Sequence, residues 1–227
     1  MIPETKYFDV CFRDGVTYAG TTWADSEVAC ALYVNASGAT AAYTDSALIP
    51  SAQGTGYGQV GGNRYKLKKL RLRGSLMPSP IGSGFTAYES QVVRLLLVMD
   101  TQPNGTQAQG ETVLQDFGDS HENLFAFKNT SDSSGRFRIL KDEFITLDFN
   151  YSVNTAAGTS DICAQSKQFS FQYVPKNPIL VNVKSGNATP TVAGLESCNI
   201  FLLAASSVAS NAAPITVTGT ARTYYCD

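Results

Sequence analysis

The chain has 227 residues, of which 43% are apolar and 16% charged, and its formal net charge is −2. That length suits one domain with a sizeable core, and the near-neutral balance excludes a basic field over the whole molecule of the kind that gathers nucleic acid. No apolar run reaches transmembrane length and residues 1–6, MIPETK, lack a signal-type apolar segment, so no membrane partner is expected.

The first predicted strand is 6–13, KYFDVCFR, with Phe8, Val10 and Phe12 on one side and Tyr7, Asp9, Cys11 and Arg13 on the other. A short apolar segment, 28–34, extends it or pairs with it. Residues 35–62 are small, polar and glycine-rich and read as a long surface loop; the Lys-Ser/Thr of a phosphate-cradling loop is missing. Residues 63–77, NRYKLKKLRLRGSLM, hold the densest positive cluster. Strict alternation puts Leu67, Lys69, Arg71 and Arg73 on one face and Lys66, Lys68, Leu70 and Leu72 on the other. Lys66, Lys68, Lys69, Arg71 and Arg73 are candidate nucleic-acid contacts. A solvated or interface strand whose charges block wrong edge pairing reads the same way, and Tyr65 is the one stacking partner within the segment.

After a proline- and glycine-rich loop, 78–89, comes 91–105, QVVRLLLVMDTQPNG. Val92 to Met99 is apolar on both faces, broken only by Arg94, and a turn follows Asp100. Half-buried sandwich strands alternate, so something covers the second face. A loop of the same chain would do so. A neighbouring subunit would too, which makes Val93, Arg94, Leu95, Leu97 and Met99 candidate interface residues. Residues 111–117 predict a helix of one or two turns. Residues 136–149 predict a long strand with Phe137, Ile139, Ile145 and Leu147 inward, Lys141 and Glu143 on that same face, and a bulge near Asp142. The loop 154–161 is small and polar. Residues 168–174 alternate cleanly, 179–183 is a short strand, and 199–205 is again apolar. In the last strand, 215–226, Thr216, Thr218, Thr220 and Arg222 oppose Ile215, Val217, Gly219 and Ala221. About eight strands with long loops and one or two short helices predict an all-β, two-sheet sandwich over residues 1–227, with a jelly roll as the eight-stranded form.

Catalytic patterns are absent from the sequence. His121 is the single histidine and reads as a surface or capping residue, so neither a histidine metal cluster nor a nucleophile–base pair forms, and no enzyme activity is expected. Cys11, Cys30, Cys163, Cys198 and Cys226 are widely spaced, with no C-x-x-C; they read as buried reduced thiols rather than a zinc site or disulfide framework. No cofactor is expected beyond a weak guess of calcium at Asp142 and Glu143, between subunits. Trp23, in GTTWAD, would suit a carbohydrate-binding module or simply pack a loop.

Residues 94–105, RLLLVMDTQPNG, resemble the R-x-L-x-V-x-D-x-Q-P-N-G stretch of capsid proteins from small circular single-stranded DNA viruses, to which capsids of the satellite tobacco necrosis virus type are similar. Residues 4–9 (ETKYFD), 63–74 (NRYKLKKLRLRG) and 136–142 (RFRILKD) sit in the family's order, so the resemblance spans 4 to about 150. It implies a jelly-roll subunit that self-assembles into a small icosahedral shell. Its partners would be copies of itself and a packaged nucleic acid, most simply single-stranded DNA, and its place the virion. The family's arginine-rich N-terminal arm has no counterpart in residues 1–9, where Lys6 is the sole basic residue. Packaging then draws on the folded basic strand or on an arm outside this sequence, or does not proceed by charge. Carbohydrate-binding jelly-roll modules and other structural β-sandwiches are the competing readings.

Overall fold

The structure, a computed structural model, describes residues 4–16, 28–30, 47–78, 91–108, 110–115, 124–129, 135–154, 159–164, 166–206 and 215–227. Its strands are β1 (Lys6–Val16), β2 (Val28–Cys30), β3 (Arg64–Pro78), β4 (Gln91–Asp100), β5 (Phe137–Leu147), β6 (Phe149–Asn154), β7 (Thr159–Ala164), β8 (Lys167–Tyr173), β9 (Ile179–Asn182), β10 (Asn199–Ser206) and β11 (Ile215–Cys226). One helical turn, α1 (Gly110–Val113), lies between β4 and β5. Among the described residues, no helix is long and apolar enough to cross a membrane.

The strands form an all-β sandwich. One sheet runs β1-β11-β3-β8, with β9 also on β3; the other runs β2-β10-β4-β5. Every pairing within them is antiparallel. The expected eight strands become eleven. The polar segment around 154–161 is not one loop: β6 and β7 pair as a separate ribbon. Proline-flanked β8 and β9 divide one edge of β3 between them, over Leu70–Leu76 and Arg64–Leu67. The short 28–34 segment contributes β2, which pairs with β10 in the opposite sheet rather than with β1.

Between the sheets lies the main core. Leu67, Leu70, Leu72, Val93, Leu95, Leu97, Ile200, Leu202, Phe171 and Val217 meet there with almost no exposure. The glycine-rich stretch corrects the surface-loop expectation where it is described: Leu48, Ile49 and Val60 are wholly buried in the same core. Backbone polarity there is met by the Thr223 hydroxyl donating to the Leu48 carbonyl at 2.8 Å and the Tyr225 hydroxyl donating to the Gln59 carbonyl at 2.9 Å. Gly74 is set by a close approach. A β-carbon would fall 2.4 Å from the Thr218 carbonyl oxygen and 2.6 Å from the Phe169 ring, so only glycine fits opposite that aromatic.

A second core explains why β4 is apolar on both sides. Leu96 and Val98, with Phe201, Leu203 and Phe137, are covered by Ala108, Val113, Leu114, Leu124 and Ala126. The cover is therefore the chain's own segment, α1 and residues 124–129. It is stitched by Gln115 N–H to Phe127 O and Asn129 N–H to Val113 O, both 2.9 Å. The helix prediction over 111–117 shrinks to one turn, and Phe117 lies outside the described residues.

Two bulges reset the predicted faces. In β3, Tyr224 pairs with Lys69 but Tyr225 pairs with Leu67, which leaves Lys68 as the extra residue. In β5, Leu97 pairs with Lys141 and Val98 with Ile139, which leaves Leu140 extra. The β5 bulge thus falls two residues before the predicted Asp142. Phe137 and Ile139 consequently pack in the second core, while Ile145 and Leu147 stay with the first. Lys141 and Glu143 do share that first face, where they pair with each other at 3.0 Å while staying partly exposed.

Candidate nucleic-acid interface

The bulge at Lys68 decides where the charges of β3 go. With one residue inserted, Tyr65, Leu67, Leu70, Leu72 and Leu76 all turn into the core. Lys66, Lys68, Lys69, Arg71 and Arg73 are each exposed or half-exposed, on the opposite, solvent side of the five-stranded sheet. The expected split of these residues between two faces is corrected: all five emerge together. Among the described residues, none of the five is in a salt bridge with a carboxylate.

Cross-strand register extends the patch. One row reads Asp9, Arg222, Arg71, Gln172; the next reads Cys11, Thr220, Arg73, Ser170. Arg222 holds Asp9 through two bonds of 2.7 Å and lies 4.8 Å from the centre of the Tyr7 ring. Its hydrogen bonds to Asp9 and then Tyr224 push its guanidinium above the ordinary arginine value. Arg71 donates to Gln172 at 2.9 Å. Lys69 sits 5.7 Å over the Tyr224 ring, and Lys68 donates to the Thr5 hydroxyl at 3.1 Å. At the margin, Asp227 takes Lys6 at 2.9 Å and the Gly61 N–H at 2.7 Å. Burial opposes ionisation of Asp227, but those two bonds outweigh it and lower its pKa.

Tyr65, the stacking partner suggested by the sequence, is buried and cannot receive a base. The rings that border the charged face are instead Tyr7 and Tyr224, from other strands. Arg222, Tyr224 and Gln172 are members of the patch that sequence reasoning did not single out. The alternation of the last strand already placed Arg222 on its polar side, but only the strand order sets it beside Arg71.

The other candidates fare differently. Val93, Leu95, Leu97 and Met99 are buried in the intersheet core, and Arg94 lies under the chain's own cover, so the expected subunit interface on β4 is corrected. A side chain with no surface cannot meet a neighbour. Arg94 clamps that cover: it grips Asp142 through bonds of 2.9 and 2.7 Å and donates to the carbonyls of Leu124 at 2.9 Å and Ala126 at 2.7 Å. Asp142 and Glu143 engage Arg94 and Lys141 respectively, from opposite faces of the strand. Cys198 and Cys226 are buried free thiols, whereas Cys11 is exposed and corrects the expectation of burial. The side chains of Cys30 and Cys163, and all of Trp23 and His121, lie outside the described residues. Compared with known proteins, the chain matches no protein-family model and no curated protein sequence.

Proposed function

We propose that the protein is a capsid subunit, a jelly roll whose copies close into a small icosahedral shell around a nucleic acid genome. The observation that carries this reading is the strand order. Leaving aside the β6–β7 ribbon, the chain crosses between sheets at every step except β4 to β5 and β8 to β9, and the sheets order as β1-β11-β3-β8 and β2-β10-β4-β5. Eight-stranded double-sheet jelly rolls have this two-Greek-key form, and viral shells are one of their uses. Support also comes from the four sequence segments that resemble circular single-stranded DNA virus capsids. Those segments form β1, β3, β4 with its turn, and β5. The role is structural rather than catalytic. The basic face of the five-stranded sheet turns toward the genome and takes the part that an arginine-rich arm plays in the family it resembles.

Electron microscopy of the purified protein tests the shell, and the ratio of nucleic-acid to protein absorbance tests its contents. Uniform closed particles with a high ratio are expected. A monomer under all salt and pH conditions would overturn the reading in favour of a jelly-roll binding module.

A further inference from the structure

We infer that the basic face carries a discrete subsite for a phosphodiester of single-stranded nucleic acid, in the hollow between Arg71, Arg73 and Arg222. This rests on the reading of that face as nucleic-acid-binding and deepens it from a diffuse field to a built site. The hollow measures about 490 Å³. Cys11 and Thr220, the small residues of the row that continues to Arg73, leave the room between the three arginines. Arg71 and Arg73 are two residues apart on one strand, about 7 Å along it, and so present two guanidinium forks side by side. Two of the three arginines are pre-set, Arg71 by Gln172 and Arg222 by Asp9. Arg73 is exposed and held by no side chain among the described residues, so its fork is free to close on a ligand. The one carboxylate lining the hollow, Asp9, is spent on Arg222, which leaves the site with an excess of two positive charges. A planar fork meets phosphate oxygens bidentately, which an ammonium does not. Tyr224 lines the same hollow, and Tyr7 lies alongside under Arg222. Bases splayed from a single strand stack on such rings, whereas bases in a duplex are already stacked on each other.

The experiment measures binding of a fluorescent oligothymidylate to the full chain at fixed salt, with an equal-length duplex as competitor. Arg73→Lys and Arg71→Lys keep the charge and remove the fork. Each is expected to weaken binding about tenfold, the worth of one lost charge-assisted hydrogen bond. Lys141→Arg, on the other sheet, is expected to change nothing. The oligonucleotide is also expected to protect Cys11 from iodoacetamide, read by peptide mass, and the duplex to compete poorly. If both Arg→Lys variants bind like wild type while serine at all five β3 positions abolishes binding, the face reading stands and the subsite is wrong. If the five-serine variant, folded by circular dichroism, binds as well as wild type, the face reading fails and takes the subsite with it.

Discussion

Arg94 is the residue on which the second core turns. Its guanidinium is 5% exposed while its partner Asp142 is 34% exposed, so the arginine has no access to water if the pair is broken. Arg94→Met strands the carbonyls of Leu124 and Ala126, and Asp142→Ala strands a buried cation. Each is expected to cost about 3 kcal/mol. Because both changes destroy one network, the double variant should cost well below the sum. Denaturant unfolding measures this, and strict additivity would show that the clamp does not act as a unit. Hydrogen exchange should rise across 124–129 in both variants. The sequence showed Arg94 as the single break in an apolar run, but not its partners, because the two carbonyls lie 30 and 32 residues further on. Buried titrating groups add a second expectation at this scale. Burial, with Asp100 nearby, pushes the Cys198 thiol from 9.0 to about 12, and burial pushes the Tyr225 phenol from 10.0 to about 12. Tyr65, wholly buried, is raised too. The folded state therefore holds these groups neutral after the unfolded chain has ionised them. Their stability contribution is full below about pH 9 and is lost as pH climbs toward 12. Alkaline titration should show phenolate absorbance from these tyrosines appearing together with unfolding; their early, independent ionisation would contradict the burial.

At the scale of the element, the bulges do what alternation could not. In the run from Lys66 to Arg73, a strict two-residue period sends Leu67 and Leu70 to opposite faces, and the doubled lysine at 68–69 is the only trace of the correction. Where an inserted residue sits is decided by partner strands, here the register with β11 and the gap between β9 and β8. Strands with one clean period were legible: β8 and β11 have the faces that their sequences predict. β5 was partly legible, since the conflict on its face announced a bulge but the extra residue proved to be Leu140. Deleting Lys68 removes the extra residue and leaves Tyr65, Leu67, Leu70, Leu72 and Leu76 on one face of a strictly alternating strand, with Tyr225 still opposite Leu67 and Tyr224 opposite Lys69. No buried side chain is turned to solvent, so the deletion variant is expected to fold, at a cost of about 0.5–3 kcal/mol for straightening a strand whose other edge is divided between β9 and β8. Lys68→Ser keeps the bulge and should stay within about 0.5 kcal/mol of wild type. Thermal melts followed by circular dichroism check both; a deletion variant that fails to fold would show that β3 needs the bend at its bulge to reach both β8 and β9.

Over the whole molecule, the bulge and the cover divide the labour between the two sheets. In one sheet β4 and β10 are apolar and buried on both faces, and their outer side is capped by the chain's own segment. The other is apolar on one face only and presents its charges to solvent. Neither arrangement is written in composition: a net charge of −2 hides six basic side chains gathered on β3. The proposed shell function predicts that this gathering serves packaging rather than assembly. Lys69, Arg71 and Arg73 point away from the core, so serine at all three should leave the fold and the closed particles intact. What should fall is the nucleic acid inside. Each cation removed from the phosphate backbone takes its counterion release out of the binding free energy and flattens the salt dependence by roughly one unit in log–log slope. Particles of normal size with a clearly reduced nucleic-acid absorbance are expected. Intact particles with unchanged contents would locate packaging elsewhere on the chain. Loss of the particles altogether would instead make the basic face a contact between copies, with its charges meeting carboxylates of a neighbour.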